Sequence, residues 1–149
     1  MKFITGLFNL DLSWLVPEIG GFMGTVKFLM GLSMLAGPML LAAFGLLYMF
    51  KPAEHANYHF GYRTYFGMGS TEAWQYTQRI AGLVFTAMGG VLFIAMIVVM
   101  CFFGKHDLLQ NVTTAAICLG VQAGALLIAR MVIAILVSVY FDGFGDRRR

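Results

Sequence analysis

The sequence is poor in charge. Only 11% of its 149 residues are Asp, Glu, Lys or Arg, against about 25% in a soluble domain. A chain so short of charge cannot cover a water-facing surface, which excludes a plain water-soluble globule. Cysteine is scarce too. Cys101 and Cys118 stand singly in or at the end of apolar runs, with no C-x-x-C and no Cys/His ligand spacing, so neither a disulfide framework nor a thiolate metal site is available. His55 and His59 stand four apart, but Gly61 follows and a third ligand is missing; a metal site needs more, and no metal or cofactor is expected. There is no D-x-D, no H-E-x-x-H and no Ser/His/Asp set. That leaves His55, His59 and Glu72 as the only proton carriers near one another, without the nucleophile–base pair that catalysis requires. The expected protein is therefore not an enzyme. Three of the ten basic residues are the consecutive Arg147, Arg148 and Arg149. Such a run suits an anionic membrane face, whereas nucleic-acid binding needs a broader basic surface and is not expected.

What the sequence has instead is apolar length. It is 60% hydrophobic, with a mean hydropathy of +0.80. Three runs, at about 28–50, 80–103 and 112–141, reach the roughly 20 apolar residues that cross a bilayer. The expected fold is all-α: an integral membrane three-helix bundle preceded by a short interfacial amphipathic helix. In the segment 1–27, Leu7, Phe8, Leu10, Leu12, Trp14 and Leu15 suit the membrane interface. Asp11 and Glu18 interrupt any signal-peptide core, and Pro17 and Gly20-Gly21 break the segment before the first span. The chain thus divides into an interfacial segment (1–27), a membrane domain (28–141) and a basic C-terminal tail (142–149). Pro38 falls mid-span, where it removes a backbone donor. Lys51, Arg63, Arg79 and the three final Arg flank one side of the spans, against Lys2, Lys27 and Lys105 on the other. By the positive-inside rule the loop after the first span and the C-terminus are cytoplasmic and the N-terminus is outside. Rows of small residues four apart, Gly82-Thr86-Gly90 and Ala116-Gly120-Gly124, allow close helix approach. They fit contacts within one bundle, or between copies in a homo-oligomer.

Two polar residues lie deep in the third run. Arg130 sits eleven residues before Phe141, about 16 Å along a helix. Either its guanidinium snorkels to a headgroup, or it faces the bundle and binds a carbonyl cluster, an acid or a ligand, as intramembrane charge often does. Gln122, two turns away, is placed to share a polar cavity with it.

The remaining polar residues gather between the first two runs, from Asn57 to Arg79. Gly61-Tyr62-Arg63-Thr64 reads as a turn, with Gly61 free to take backbone angles closed to other residues. Arg63 offers a five-donor fork for a lipid phosphate, Glu72 or a loop carbonyl. Ser70 reads as a helix N-cap, with Glu72 at the positive end of that helix. Trp74 and Tyr76 read as interfacial anchors, and Gln75 and Arg79 share one face a turn apart. The ordered string N-x-x-x-G-Y-R-T, S-x-E-x-W, then Arg and Gly entering an apolar helix (Asn57, Gly61, Tyr62, Arg63, Thr64, Ser70, Glu72, Trp74, Arg79, Gly82) resembles the SdpI family of bacterial membrane proteins over about residues 28–141. The resemblance implies a three-helix unit in the cytoplasmic membrane with this motif between its first two helices. It also implies a role in immunity or resistance to secreted peptide toxins, with membrane lipids and a toxin peptide as partners. The alternatives from the residues themselves are a small lipid-headgroup-binding protein or enzyme, holding phosphate with Arg63, Arg79 and Arg130, and a structural subunit of a membrane complex.

Overall fold

The computed structural model describes residues 21–56, 59–103 and 107–148, with Phe22 and Met23 described by their backbone alone. The expected interfacial helix falls almost entirely within residues 1–20, and it and Asn57 lie outside the described residues. Three helices make the fold: α1 (Phe22–Phe50), α2 (Thr71–Met100) and α3 (Leu108–Tyr140), with a 3-10 turn, Phe66–Met68, between α1 and α2. All three are long and apolar enough to cross a membrane, so the expected three-helix membrane architecture stands. Among the described residues the single β pairing is an isolated bridge between Phe141 and Arg147.

The helices extend beyond the apolar runs. α2 has 30 residues, about 45 Å at 1.5 Å per residue, against a hydrocarbon core of about 30 Å. Its first turns therefore stand clear of the apolar zone. The outer surfaces are oily: Leu40, Val91, Ile94, Leu127 and Met131 are all exposed, the distribution expected when lipid is the solvent.

α1 and α2 share the most extensive contact. Glycines allow it. A Cβ on Gly45 would come within 2.9 Å of the Gly82 carbonyl oxygen, and one on Gly89 within 2.9 Å of the Ala42 Cα, so the two backbones meet where any side chain would hold them apart. The Thr86 hydroxyl adds a contact to the Met49 sulfur at 3.8 Å. Gly82 and Thr86 of the first small-residue row thus serve packing within the chain. Gly120 and Gly124 of the second row, like Gly90, face open space.

α3 joins the pair at its two ends. Near its C-terminus Ala129, Ile133 and Val137 cluster with Ala81 and Phe85; near its N-terminus Ala115 and Cys118 cluster with Met34, Met96 and Phe103. Between these clusters lies one polar tie. α1 continues unbroken through Pro38, which has no N–H to offer the carbonyl four residues back, that of Met34. Gln122 supplies the missing donor: its Nε2 donates to the Met34 oxygen at 2.8 Å. Gly37 leaves the space, since a Cβ there would strike the Gln122 Oε1. Gln122 therefore repairs a helix rather than sharing a cavity with Arg130. Arg130 itself turns outward. It is exposed beside fully buried Ala129, and among the described residues its side chain has no hydrogen bond or ion pair. The reading in which it faces into the bundle does not hold for a single chain.

Candidate functional site

The polar stretch folds into one end of the bundle, and Trp74 is its floor. Gly61 has φ +117°, a conformation that L side chains rarely adopt, and it lies flat on the indole. A Cβ there would come within 2.6 Å of the Trp74 ring. Trp74 is fully buried, at 0% exposure, and its Nε1–H donates to the Ala53 carbonyl at 2.8 Å. This corrects the sequence reading of Trp74 as an anchor in the membrane interface: the loop closes over it, and it holds protein rather than lipid. Beside it Gln78, also fully buried, pairs with the backbone of Tyr62 in both directions. Its Nε2 donates to the Tyr62 carbonyl and its Oε1 accepts from the Tyr62 N–H, each at 2.8 Å. One amide thus mimics a neighbouring strand and fixes the loop to α2. The Tyr62 ring then meets Phe85 edge-on, with centroids 5.2 Å apart, in the geometry that aromatic pairs prefer.

Two hydroxyls shape the next turn. The Thr64 Oγ1 accepts from the Gly67 N–H at 3.0 Å, and the Thr77 Oγ1 donates to the Ala73 carbonyl at 2.7 Å. Gly67 is pressed against both side chains. Ser70 is the N-cap of α2 as its position implies: its Oγ accepts from the Ala73 N–H at 3.1 Å.

Ser70 has a second role. Its hydroxyl donates to the carbonyl of Gly145 at 2.7 Å, joining the start of α2 to the segment after α3. That segment is more than a basic run. The Asp142 Oδ1 accepts from the N–H groups of Phe144 and Asp146, at 3.0 and 2.9 Å. The Asp142 N–H donates to the Asp146 carbonyl, and the Arg148 N–H to the Tyr140 carbonyl, both at 2.9 Å. Gly145, at φ +83°, lies against the backbone of Gly69 and Ser70. The turn carries Arg147 back to Glu72, N to O 3.9 Å, with both side chains 67% exposed.

Between α1, the loop, α2 and this turn lies a cleft of about 540 Å³. Tyr48, Tyr76 and Phe141 are part of its wall, and Glu54, Glu72, Gln75, Arg79 and Arg147 bring polar groups to it. Two carboxylates thus face two guanidiniums. Glu72, Gln75 and Arg79 stand at i, i+3 and i+7, on one face of α2. Among the described residues the side chains of Glu54, Gln75 and Arg79 have no intramolecular hydrogen bond or ion pair.

Of the residues singled out from sequence, the structure brings Gly61, Tyr62 and Trp74 together in one lock, places Thr64 and Ser70 in the turn beneath it, and sets Glu72 and Arg79 in the cleft. Arg63 is exposed on the loop. Gln122 and Arg130 belong to the membrane part of α3, away from this end. Several participants escaped the sequence reading, among them Gln78, Thr77, Glu54, Asp142 and Gly145, and Arg147, read there as part of a membrane-facing basic run, proves to be the partner of Glu72. The string D-G-F-G-D carried a turn signal that the adjoining arginines overshadowed. Gln78 carried none, because nothing in a helical sequence tells a buried Gln from a solvated one.

No curated protein and no solved structure matches the chain with significance. The family model described as the SdpI/YfhL protein family matches residues 55–141, more than half the chain, and that stretch runs from the loop before the lock to buried Phe141, just past the end of α3. The chain belongs to the SdpI family.

Proposed function

We propose that this protein is a non-enzymatic immunity or resistance protein of the cytoplasmic membrane, acting against a secreted peptide toxin, with the motif end in the cytoplasm and the N-terminus outside. The observation that supports this reading is what the motif does with its polar groups. Gln78, Trp74, Ser70, Thr64 and Thr77 bond to the protein's own backbone or to each other's turns, so they build a rigid surface rather than a reaction centre. The test is expression in a toxin-sensitive bacterium, with membrane insertion verified, followed by challenge with a panel of secreted peptides. Survival should rise for the intact chain and fall back for Gln78→Leu, which unfastens the loop. No gain across the panel would count against immunity. Orientation is tested separately: in a cysteine-free background Arg63→Cys should resist impermeant thiol reagents added outside, and labelling from outside would reverse the topology.

The cleft favours a second reading, a lipid-headgroup-binding protein. It lies where the apolar part of the helices ends, and two of its charged side chains, Glu54 and Arg79, are not consumed by pairs within the fold. The two readings are separable, since survival and lipid retention are independent measurements.

A further inference from the structure

We propose that the cleft beside α2 binds the zwitterionic aminophosphate headgroup of a membrane phospholipid, phosphoethanolamine being the chemistry that fits. This rests on the headgroup-binding reading and gives it a chemical class.

Three observations converge. The first is level. Met49, near the end of α1, packs on Gly82 of α2, so Arg79, about one turn beyond Gly82, stands at about the level of Lys51, where the apolar helix surface stops. That is the depth of the headgroups. The second is charge. Glu54 and Glu72 balance Arg79 and Arg147. An anionic headgroup would meet two carboxylates, whereas a zwitterion satisfies both signs. The third is order. Of the residues Glu72, Gln75 and Arg79 that α2 gives the cleft, Arg79 is innermost, Gln75 is next, and Glu72 is outermost, two turns or about 10 Å beyond Arg79. In a bilayer the phosphate of an aminophospholipid, joined to the glycerol, lies nearer the hydrocarbon than the amine at the free end of the headgroup. Arg79 thus presents its planar fork to the phosphate, and Glu72, with Glu54, accepts from the ammonium. A primary ammonium has three N–H donors for these carboxylates, and a trimethylammonium has none. Tyr48, on the membrane side of Arg79, takes the glycerol end, Tyr76 and Phe141 wall the cleft beside the headgroup, and the cleft volume lies within the 300–1,000 Å³ range of small-molecule sites.

The experiment uses the full chain in nanodiscs of equal phosphatidylethanolamine, phosphatidylcholine and phosphatidylglycerol, with native mass spectrometry of the lipid retained after mild extraction. Phosphatidylethanolamine should be retained about tenfold over the other two, the ratio that one charge-assisted contact supplies. Arg79→Gln should lower its retention about tenfold, and Glu54→Gln with Glu72→Gln should abolish the preference. Should either variant fail to fold, Gln75→Lys adds a cation midway and should shift retention toward phosphatidylglycerol. Preferential retention of phosphatidylglycerol by the unaltered chain, or equal retention of all three, overturns the zwitterionic assignment while leaving headgroup binding intact. Retention of no lipid overturns both. Binding of soluble O-phosphoethanolamine by a chain that retains no phosphatidylethanolamine would assign the site to a free metabolite and overturn the lipid as its occupant.

Discussion

Gly61 and Gln78 show how far single residues determine the motif end. Gly61 was readable from sequence, because a Gly before Tyr-Arg-Thr announces a turn, and the turn proves to need both its left-handed angle and its missing side chain. Gly61→Ala should cost about 1–3 kcal/mol, the range for a residue forced into a sparsely populated conformation, read as a lower unfolding midpoint in detergent. Gln78 was not readable, since its importance comes from a residue sixteen positions earlier, Tyr62, folding back over it. Gln78→Leu leaves the Tyr62 N–H and carbonyl unpaired under the loop and should destabilise by about 1–3 kcal/mol. Gln78→Glu keeps both the acceptor and, while protonated, an O–H donor for Tyr62, so it should be better tolerated at acid pH than at neutral pH, where ionisation would bury a charge against the Tyr62 carbonyl. Equal stability of Leu and wild type would show that the loop is held by packing alone. Trp74 was noticed for the wrong reason. Tryptophan near a span end is usually an interfacial anchor, and only the tertiary course of the loop turns it into a buried support.

At the scale of whole elements, apolar length sufficed to identify three helices, but their contacts depend on positions that length does not reveal. The glycine rows illustrate this. Both have the same spacing, yet Gly82 lies under α1 while Gly120 and Gly124 face outward, and which row is used depends on the rotation of each helix. Pro38 and Gln122 illustrate it further, being unremarked neighbours separated by 84 positions. Their coupling is measurable. Gln122→Leu should cost about 1 kcal/mol, within the range of interhelical hydrogen bonds in membranes. In a Pro38→Ala background, where the helix donates its own N–H to Met34, the same substitution should be close to neutral. A double-mutant cycle on thermal or denaturant unfolding measures the difference, and additive effects would refute the repair.

For the molecule as a whole, the C-terminal turn closes the structure by meeting the start of α2 at Ser70. The chain therefore returns to its own motif after two membrane crossings. Asp142→Ala removes the acceptor for the Phe144 and Asp146 N–H groups, so the turn should open, and proteolytic cleavage within 142–148 should quicken in the solubilised protein while the helices stay intact. Unchanged cleavage would mean that Ser70 and Gly145 suffice. The molecule is unevenly fastened: α1 and α2 meet backbone to backbone, whereas α3 is attached at its two ends and by one amide between them. That amide also carries an evolutionary consequence. Proline at 38 has no cost to the helix only while Gln122 is present, and Gln122 has no reason to persist in an oily helix without the proline. The two should be inherited as a pair: where a descendant of this chain replaces the proline, the glutamine is released to drift toward leucine, and the glycine at 37 that made room for it becomes free to gain a side chain.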